Sequence, residues 1–314
     1  MPVPGKRPGT FLSGRALTAR RPAGHAVRMV AVRHTVVVAS LPYRWLVDAL
    51  GVVRALVEES RAEGQRVVLP DGRAVPDIRL TRGRHLRPGA VYLVSDGNGD
   101  GDDGDEGDKG GKGDKRERKG TGTGETARIT IKEWDRRRAV RLELAVAEDS
   151  GTVELDAVLK SPDRPHLFEA DGRARVEGVP LVPSRLRGRA RIRLDDWWTA
   201  ADTGRGTHTA PASARLDHRW LRADMRATPR PGRDDGTWEV SVTVSLRGCS
   251  LLRPVAAVIL AVTGRRMRRS IARTLDDMAG RWNEAVPRLA AMDAGQLREA
   301  LLAEARHLGE SGST

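Results

Sequence analysis

The sequence has very few of the residues that usually anchor a core or a disulfide framework. Two Phe, two Tyr and one Cys occur among 314 residues, against seven Trp. The single cysteine, Cys249, excludes an internal disulfide, which is compatible with a reducing compartment, so we predict a cytoplasmic protein. With so few aromatic residues, Val, Leu, Ile and Ala must fill the core.

Long hydrophobic runs are also missing. The longest strongly apolar run, residues 255–262, is far shorter than the roughly 20 residues that cross a bilayer, so we predict no transmembrane segment. Residues 1–28 contain no acidic residue and no continuous apolar stretch of the kind found in signal peptides. We interpret them as a disordered basic tail or as sequence upstream of a start at Met29.

The charge is unbalanced toward the basic side, with 55 Lys and Arg against 42 Asp and Glu, a net charge of +13. A basic chain is compatible with nucleic acid or an anionic membrane surface as a partner. The excess of Arg over Lys, together with abundant Ala, Gly and Val, is equally typical of a high-GC genome. Nucleic-acid modules interleave basic and aromatic residues on a sheet, and this chain has only two Phe and two Tyr, which argues against nucleic acid without excluding it.

The first element predicted is a β-branched strand at residues 32–38, followed by a helix. Ser40 and Pro42 precede apolar residues at helical spacing, including Trp45 and Leu46, and Gly64 is predicted to end the helix. Breakers follow, and residues 90–94 indicate a second strand. Residues 96–124 consist mainly of Gly, Asp and Lys, a composition that cannot bury enough surface to fold, and we predict a disordered loop there.

Beyond this loop the chain is rich in predicted strands separated by short polar turns. Such an arrangement favours an antiparallel meander. The predicted strands cover residues 127–134, 139–147, 152–159, 173–179, 185–194, 213–227 and 237–246.

The C-terminal region is predicted to be helical. Pro254 suits a first helical turn, and apolar residues from Ile271 to Leu289 recur at steps of three and four along one face. Gly264 and Pro287 are predicted to kink or interrupt this helix. A short last helix is predicted near residues 296–307.

A strand, a helix, antiparallel strands and one long C-terminal helix follow one another in the order of the helix-grip fold. Two segments resemble the SRPBCC superfamily, which includes START-like and polyketide cyclase/dehydrase-like proteins. One segment is residues 32–50, which contains Ser40-Leu41-Pro42-Tyr43-Arg44-Trp45. The other is residues 238–289, in which residues 246–254 lead into a helix that ends with Arg281-Trp282-Asn283. The resemblance implies an α+β domain at residues 29–292, interrupted by the loop at 96–124, in which an antiparallel sheet grips the C-terminal helix. Extra strands depart from the family pattern, and residues 293–314 would form a short terminal helix and a frayed tail.

The resemblance also implies that a hydrophobic small molecule binds between the sheet and the C-terminal helix, with cyclase-like or dehydratase-like chemistry as an option. An apolar helical stripe is equally typical of a solid core. The residues predicted to line the cavity are Trp45, Trp197, Trp198, Met267, Ile271, Leu275, Met278 and Trp282.

Two alternatives stay open at this point. An enzyme of this group needs a polar residue facing the cavity, and Asp195 and His218 are the first candidates. A polyanion-binding protein would instead use the basic tail and the arginines of the long helix, which are Arg265, Arg266, Arg268 and Arg269. No oligomeric state is predicted.

Other motifs do not carry a site. The Asp96 segment begins like a calcium loop, but Gly107 occupies the position where the pattern requires Glu. The segment at residues 120–124 lacks the Lys of a phosphate-binding loop, and Cys249 has no neighbouring His in sequence to act as a base. The seven His residues never fall at zinc-ligand spacing, so we predict no metal and no cofactor.

Overall fold

A computed structural model describes residues 30–95, 126–148, 151–176, 185–206, 208–248 and 253–310. The predicted tail at 1–28, the predicted loop at 96–124 and Cys249 lie outside these residues. The described chain confirms the α+β class and the antiparallel sheet. No helix in the described ranges has both the length and the apolar composition needed to span a membrane.

The described residues form thirteen strands. The strands are β1 (Val30–Ala39), β2 (Arg61–Glu63), β3 (Arg66–Val68), β4 (Ala74–Arg82), β5 (Val91–Ser95), β6 (Thr126–Asp135), β7 (Ala139–Glu148), β8 (Gly151–Lys160), β9 (Leu167–Val176), β10 (Arg185–Arg193), β11 (Ala212–His218), β12 (Leu221–Pro231) and β13 (Thr237–Gly248). All thirteen belong to one sheet in the order β1-β13-β12 and then stepwise down to β2, with every described pair antiparallel. At about 4.8 Å between neighbours the sheet is about 58 Å wide.

The described residues also form four helices, α1 (Tyr43–Glu59), α2 (Leu194–Thr203), α3 (Arg253–Ala290) and α4 (Ala294–Glu310). Helix α1 begins directly after Pro42, as predicted, but it ends at Glu59, before Gly64. The hydroxyl of Ser60 donates a hydrogen bond to the carbonyl of Val57, and the Ser60 amide donates to the last turn, so the serine caps the helix.

Helix α2 begins at Leu194, the last residue of the strand predicted at residues 185–194. Asp195 and Asp196 lie in its first turn, where negative charge is favoured by the helix dipole. Gly204 ends the helix in the left-handed conformation, with φ at 65°. No helix was predicted after residue 194, although the two acidic residues and Gly204 are start and stop signals for a helix.

Two further predictions differ from the structure. Helix α3 is continuous from Arg253 to Ala290, so neither Gly264 nor Pro287 interrupts it. Pro287 lies in the last turn, so a bend at the proline displaces only the few residues that follow it. Residues 213–227 form two strands rather than one, with the turn at residues 219–220 between β11 and β12.

Helix α3 contacts the edge strand β1. The Asn283 side chain takes the place of a neighbouring strand: its Oδ1 accepts from the Ala39 amide at 2.7 Å, and its Nδ2 donates to the Val37 carbonyl at 3.0 Å. The Trp282 indole donates to the Ala39 carbonyl at 2.8 Å, and His34 Nε2 lies 2.7 Å from Asp276 Oδ1. The bonds from Asn283 and Trp282 satisfy backbone groups that an open edge would leave exposed.

Candidate functional site

The central strands have one apolar and one charged face because their side chains alternate. In β8, Leu155, Ala157 and Leu159 share a face, while Glu154 and Asp156 lie on the other. The strand registers place the apolar positions of neighbouring strands on the same side of the sheet as Leu155, and we call this side the apolar face. The side on which Asp156 lies is called the polar face.

At one end of the sheet the apolar face is covered and forms the β13-end core. Trp238, Val240 and Val242 on β13 are each at most 7% exposed. Helix α2 packs on β12, and the rings of Trp197 and Trp198 contact Trp238 edge-to-face with centroids 6.3 and 5.9 Å apart. Helix α3 adds two of its own residues, and the other buried members of this core are Val38, Leu41, Ala201, Ala279 and Val286.

At the opposite end the apolar face is covered again and forms the β4-end core. Its buried residues come from β3, β4, β5 and β6 and from the turn before β5. They are Val67, Leu80, Ala90, Tyr92 and Ile131. Helix α4 contacts β4 and α1, so this end also has a helical cover.

Between the two cores the apolar face is open. Of the residues on this face of β7 to β11 whose exposure the structure describes, none is buried. Val153 and Leu216 are 47% and 44% exposed, and Met225 on β12 is 39% exposed. Large apolar side chains on adjacent strands rarely remain exposed together unless they meet a ligand or a partner.

Two glycines form the floor of this open region. Gly172 on β9 and Gly188 on β10 are direct cross-strand neighbours. Leu155 on β8 lies beside Gly172, and Leu216 on β11 lies beside Gly188. Because neither glycine has a side chain, Leu155 and Leu216 border a shallow depression on its two sides. Their strands are three positions apart in the sheet, which places their backbones about 14 Å from each other. We call this depression the apolar trough.

Further along the trough the floor is made of alanines, and Met225 extends one wall. The other lining residues on this face are Ala170, Ala190, Ala214 and Ala223. The depression has a volume of about 320 Å³, at the lower end of the range of small-molecule sites. Its lining offers aliphatic carbon, so it suits an apolar ligand.

Helix α1 runs along one margin of the central strands. The Tyr43 hydroxyl donates to the Pro165 carbonyl at 3.0 Å, Arg54 pairs with Asp163, and the Trp134 indole donates to Glu58 at 3.3 Å. Burial of the ring raises the pKa of the Tyr43 hydroxyl. We call this margin the rim and the opposite ends of the strands the far end.

The apolar residues of α1 are incompletely covered. The helix carries Leu46, Leu50, Leu56 and Val57, yet none of its residues is buried, and Val53 is 42% exposed. None of the trough's lining residues belongs to α1, so the half-buried residues of this helix are a feature of the rim.

The residues predicted to line the cavity are divided by the structure. Trp45, Trp197, Trp198 and Leu275 pack against the β13-end core, outside the trough. Two of these indoles also make hydrogen bonds, because Trp198 donates to the Leu41 carbonyl at 2.7 Å and Trp45 to the Met292 carbonyl at 3.2 Å.

The other predicted cavity residues of α3 are exposed or half-buried. Met278, which helical spacing placed on the covered face, is 62% exposed, and Trp282 is 38% exposed. Met267 and Ile271 are half-buried. The structure therefore does not bring these α3 residues into one group with the trough.

The two polar candidates for catalysis are far apart. Asp195 is exposed in the first turn of α2, at the rim. His218 ends β11 on the apolar face at the far end, opposite Leu186. The length of β11, roughly 20 Å, separates the two ends, so the residues cannot act together on one group.

One buried hydrogen-bonded chain was not foreseen from the sequence. Ser60 Oγ lies 3.0 Å from His85 Nε2, and His85 Nδ1 lies 2.9 Å from the Tyr92 hydroxyl, which accepts from the Leu86 amide. Burial lowers the pKa of His85 and raises that of Tyr92. Ser60 lies 25 residues before His85, and the three residues match no short motif.

The direction of these bonds decides the chemistry. The Ser60 hydroxyl gives its hydrogen to the Val57 carbonyl at 2.6 Å, so His85 Nε2 must donate to Ser60, and Nδ1 accepts from Tyr92. A nucleophilic serine requires the reverse polarity and access to substrate, whereas Ser60 is only 8% exposed. The chain is therefore a structural link between α1 and β5.

By themselves, the arginines of α3 and the metal-ligating residue types do not define a second site in the described part of the chain. Arg266, Arg268 and Arg269 are exposed on α3, so the polyanion alternative stays a prediction. Among the described residues no group of three or more His, Cys, Asp and Glu side chains is placed to hold a metal ion.

The trough was not predicted from the sequence, because glycines without side chains form its floor and no motif marks it. Gly172 lies just outside the strand predicted at residues 173–179, although it is inside β9, and Gly188 interrupts an otherwise regular Arg-rich strand. A glycine inside a strand pattern can mark a place where another molecule approaches the backbone. Only the register showed that the two glycines are neighbours.

A scan of the chain against models of known protein families finds no match, and a search of curated proteins finds no significant relative.

Proposed function

We propose that this protein binds a hydrophobic small molecule in the apolar trough. The observation that carries the proposal is the uncovered apolar face of β7–β11, bounded on each side by a well-covered core. The glycine floor gives a ligand access to the sheet between Leu155 and Leu216. A slender aliphatic chain matches this lining better than a polar metabolite, because the trough offers it few hydrogen-bonding partners.

The proposal is tested with a fluorescent fatty acid as the probe. Val at position 188 would place two methyl groups on the floor, so Gly188→Val should weaken probe binding about tenfold or more, from loss of contact area. Ser213→Val is the matched control, because Ser213 is exposed on the polar face of β11. Equal affinities of both variants and the original protein, or no binding by the original protein, would contradict the proposal.

We further propose that the chain is a divergent helix-grip protein of the SRPBCC superfamily. The pairing of the first strand β1 with the last strand β13 supports this, as does the long helix α3 that follows β13 and contacts β1. In that case a ligand cavity between the sheet and α3 would be a second location to test, with Ile271 and Leu275 nearby. Ligand-induced changes at Leu275 rather than at Leu216 would select this location over the trough.

The polyanion alternative makes a different prediction. If the exposed arginines of α3 bind an extended polyanion, retention on heparin should fall steeply with salt, and the combined change Arg266→Gln and Arg269→Gln should reduce it. The same variant should leave binding of the fatty-acid probe unchanged. Weak retention that disappears near physiological salt would instead reflect composition alone. A cytoplasmic location, proposed from the single cysteine, is tested by cell fractionation.

A further inference from the structure

Helix α3 is much longer than the strand beside it. Its 38 residues measure about 57 Å, whereas the 10 residues of β1 measure about 33 Å. Asp276 on α3 lies beside His34 on β1. Further along the helix, Asn283 binds the backbone of Ala39, further along the strand. Helix and strand therefore run in the same direction, and the first half of α3 lies toward the far end.

The first half of α3 extends past the end of the strand. Strand β1 begins at Val30, which is about 13 Å from His34 along the strand. Helix α3 begins at Arg253, which is about 35 Å from Asp276 along the helix. Side by side, the helix thus projects about 20 Å beyond the strand. Strand β13, which leads into α3, also continues past the partner of Val30, to Gly248.

The projecting part of α3 is apolar in composition on every side of the helix. Residues 254–264 contain no charged residue, and Thr263 is their one polar side chain. The segment is about 16 Å long. A helix that is apolar all round is typical of a protein core or of a membrane. The strand on which α3 packs begins only after this segment, so the composition indicates a second apolar environment.

A group of arginines follows the apolar segment directly. Arg265, Arg266, Arg268 and Arg269 occupy little more than one turn, and the last three are exposed. By the spacing given above they lie level with the start of β1. Helix α3 has no acidic residue before Asp276, and β1 has none at all. These arginines therefore differ from those on the polar face of the sheet, which pair with carboxylates on neighbouring strands.

We propose that the apolar segment at residues 254–264 inserts into one leaflet of an anionic lipid bilayer, with the four arginines at the level of the lipid phosphates. The length of the segment, about 16 Å, matches half of the roughly 30 Å hydrocarbon core. Arginine side chains next to an inserted helix extend to the headgroups, and anionic lipids attract them. The segment is too short to cross the bilayer, so the sheet stays on one side of it.

The turn between β11 and β12 lies at the same end of the sheet and supports this orientation. Arg219 in this turn is exposed, and Trp220 is half-buried beside His218, with ring centroids 5.8 Å apart. Tryptophan and arginine are the residue types that favour the boundary between membrane and water. A nucleic acid would use the arginines but would leave the apolar segment in water, so a bilayer fits better. The proposal does not depend on the apolar trough.

Co-sedimentation of the full chain with lipid vesicles tests the proposal. We expect tighter binding to vesicles of mixed phosphatidylcholine and phosphatidylglycerol than to phosphatidylcholine alone. Ile259→Asp should weaken this binding about tenfold or more, because it places a charge among the lipid chains. Ala285→Asp is the matched control at an exposed position near the other end of α3, and it should bind as the original protein does.

The melting temperature separates insertion from packing in the core. Ile259→Asp should leave it nearly unchanged, because the segment lies beyond the strand. A fall of several degrees would show that the segment packs inside the protein, and it would overturn the proposal.

A second pair of variants tests the arginines. Arg266→Gln combined with Arg269→Gln should weaken binding to the anionic vesicles. Arg173→Gln combined with Arg187→Gln removes the same charge from exposed positions on the polar face and should have little effect. Equal losses in the two double variants would mean that net charge alone attracts the chain, which contradicts the proposal.

An environment-sensitive label separates insertion from adsorption at the surface. The sequence has one cysteine, so Cys249→Ser gives a background without thiols for Ile259→Cys. A nitrobenzoxadiazole label at position 259 should shift its emission to shorter wavelength when anionic vesicles are added. The same label at exposed Ser213, introduced by Ser213→Cys, should not shift. The proposal is overturned if anionic vesicles do not bind, if the label at 259 does not shift, or if a short DNA duplex binds and vesicles do not.

Discussion

Leu246 on β13 and Leu216 on β11 lie on the same face of one sheet and on the same cross-strand row, joined through Ala223. Leu246 is 6% exposed, whereas Leu216 is 44% exposed. A leucine side chain is thus buried at the end of the sheet and exposed at its centre. The comparison teaches that the alternation of apolar residues determines which side they occupy, while the helices determine whether that side is closed.

The largest expected effect comes from truncating these two leucines. Leu246→Ala should lower the free energy of unfolding by about 2–5 kcal/mol, through lost burial and the void left behind. Leu216→Ala should cost less than about 1 kcal/mol, because little buried area is lost. Urea unfolding of both variants measures the difference. Similar losses at the two positions would mean that the centre of the sheet is covered after all.

A smaller effect is expected from pH at the β4-end core. Burial holds the pKa of His85 below its ordinary value of 6.5. The unfolded chain therefore binds a proton more readily than the folded one. The contribution of neutral His85 to the free energy of unfolding is complete above pH 6.5, and it is lost as the pH falls through the lower pKa of the folded state. Protonation would also remove the acceptor for the Tyr92 hydroxyl.

Melting temperatures between neutral and mildly acidic pH measure this contribution. His85→Gln should melt at a lower temperature at neutral pH and should lose less on acidification than the original protein. Exposed His208 provides a matched control, and His208→Gln should leave the pH dependence unchanged. If the melting temperatures of the His85 variant and the original protein changed equally with pH, His85 would not contribute to the pH dependence of stability.

The smallest effect is expected at the trough floor. A methyl group at Gly188 would contact only the Leu216 Cδ1 atom at 3.8 Å and a backbone oxygen at 4.0 Å, so there is room for it. Gly188→Ala should raise the free energy of unfolding by about 0.5–1 kcal/mol, because alanine loses less conformational entropy than glycine on folding. Destabilisation by this change would show that the floor is already filled.

Much of the architecture was predictable because it depends on local patterns. The β-branched run of β1, the helix after Pro42 and most of the strand-rich region were foreseen, and the antiparallel arrangement followed from the short turns between strands. Strands β2, β3 and β4 were missed. Strands β2 and β3 have three residues each, too few for a periodicity to be detected, and β4 contains Pro76, which was interpreted as a breaker.

The open site was not predictable from the same patterns. The alternation of Leu155 with acidic neighbours indicates an apolar face, but it does not say whether a helix covers that face. Helical spacing on α3 likewise indicated one apolar side, yet Met278 is exposed because α3 packs beside the edge strand β1. Cover depends on contacts between residues distant in sequence, and a single sequence carries little information about them.

The central claim is tested most directly by a methyl chemical-shift map recorded while a fatty acid is added below its micellar concentration. The account predicts shifts at Leu155, Leu216 and Met225 in the trough, and no change at Leu80 or Leu246 in the covered regions. Shifts confined to the covered regions, or no shifts at all, would contradict the claim that the centre of the sheet binds an apolar ligand.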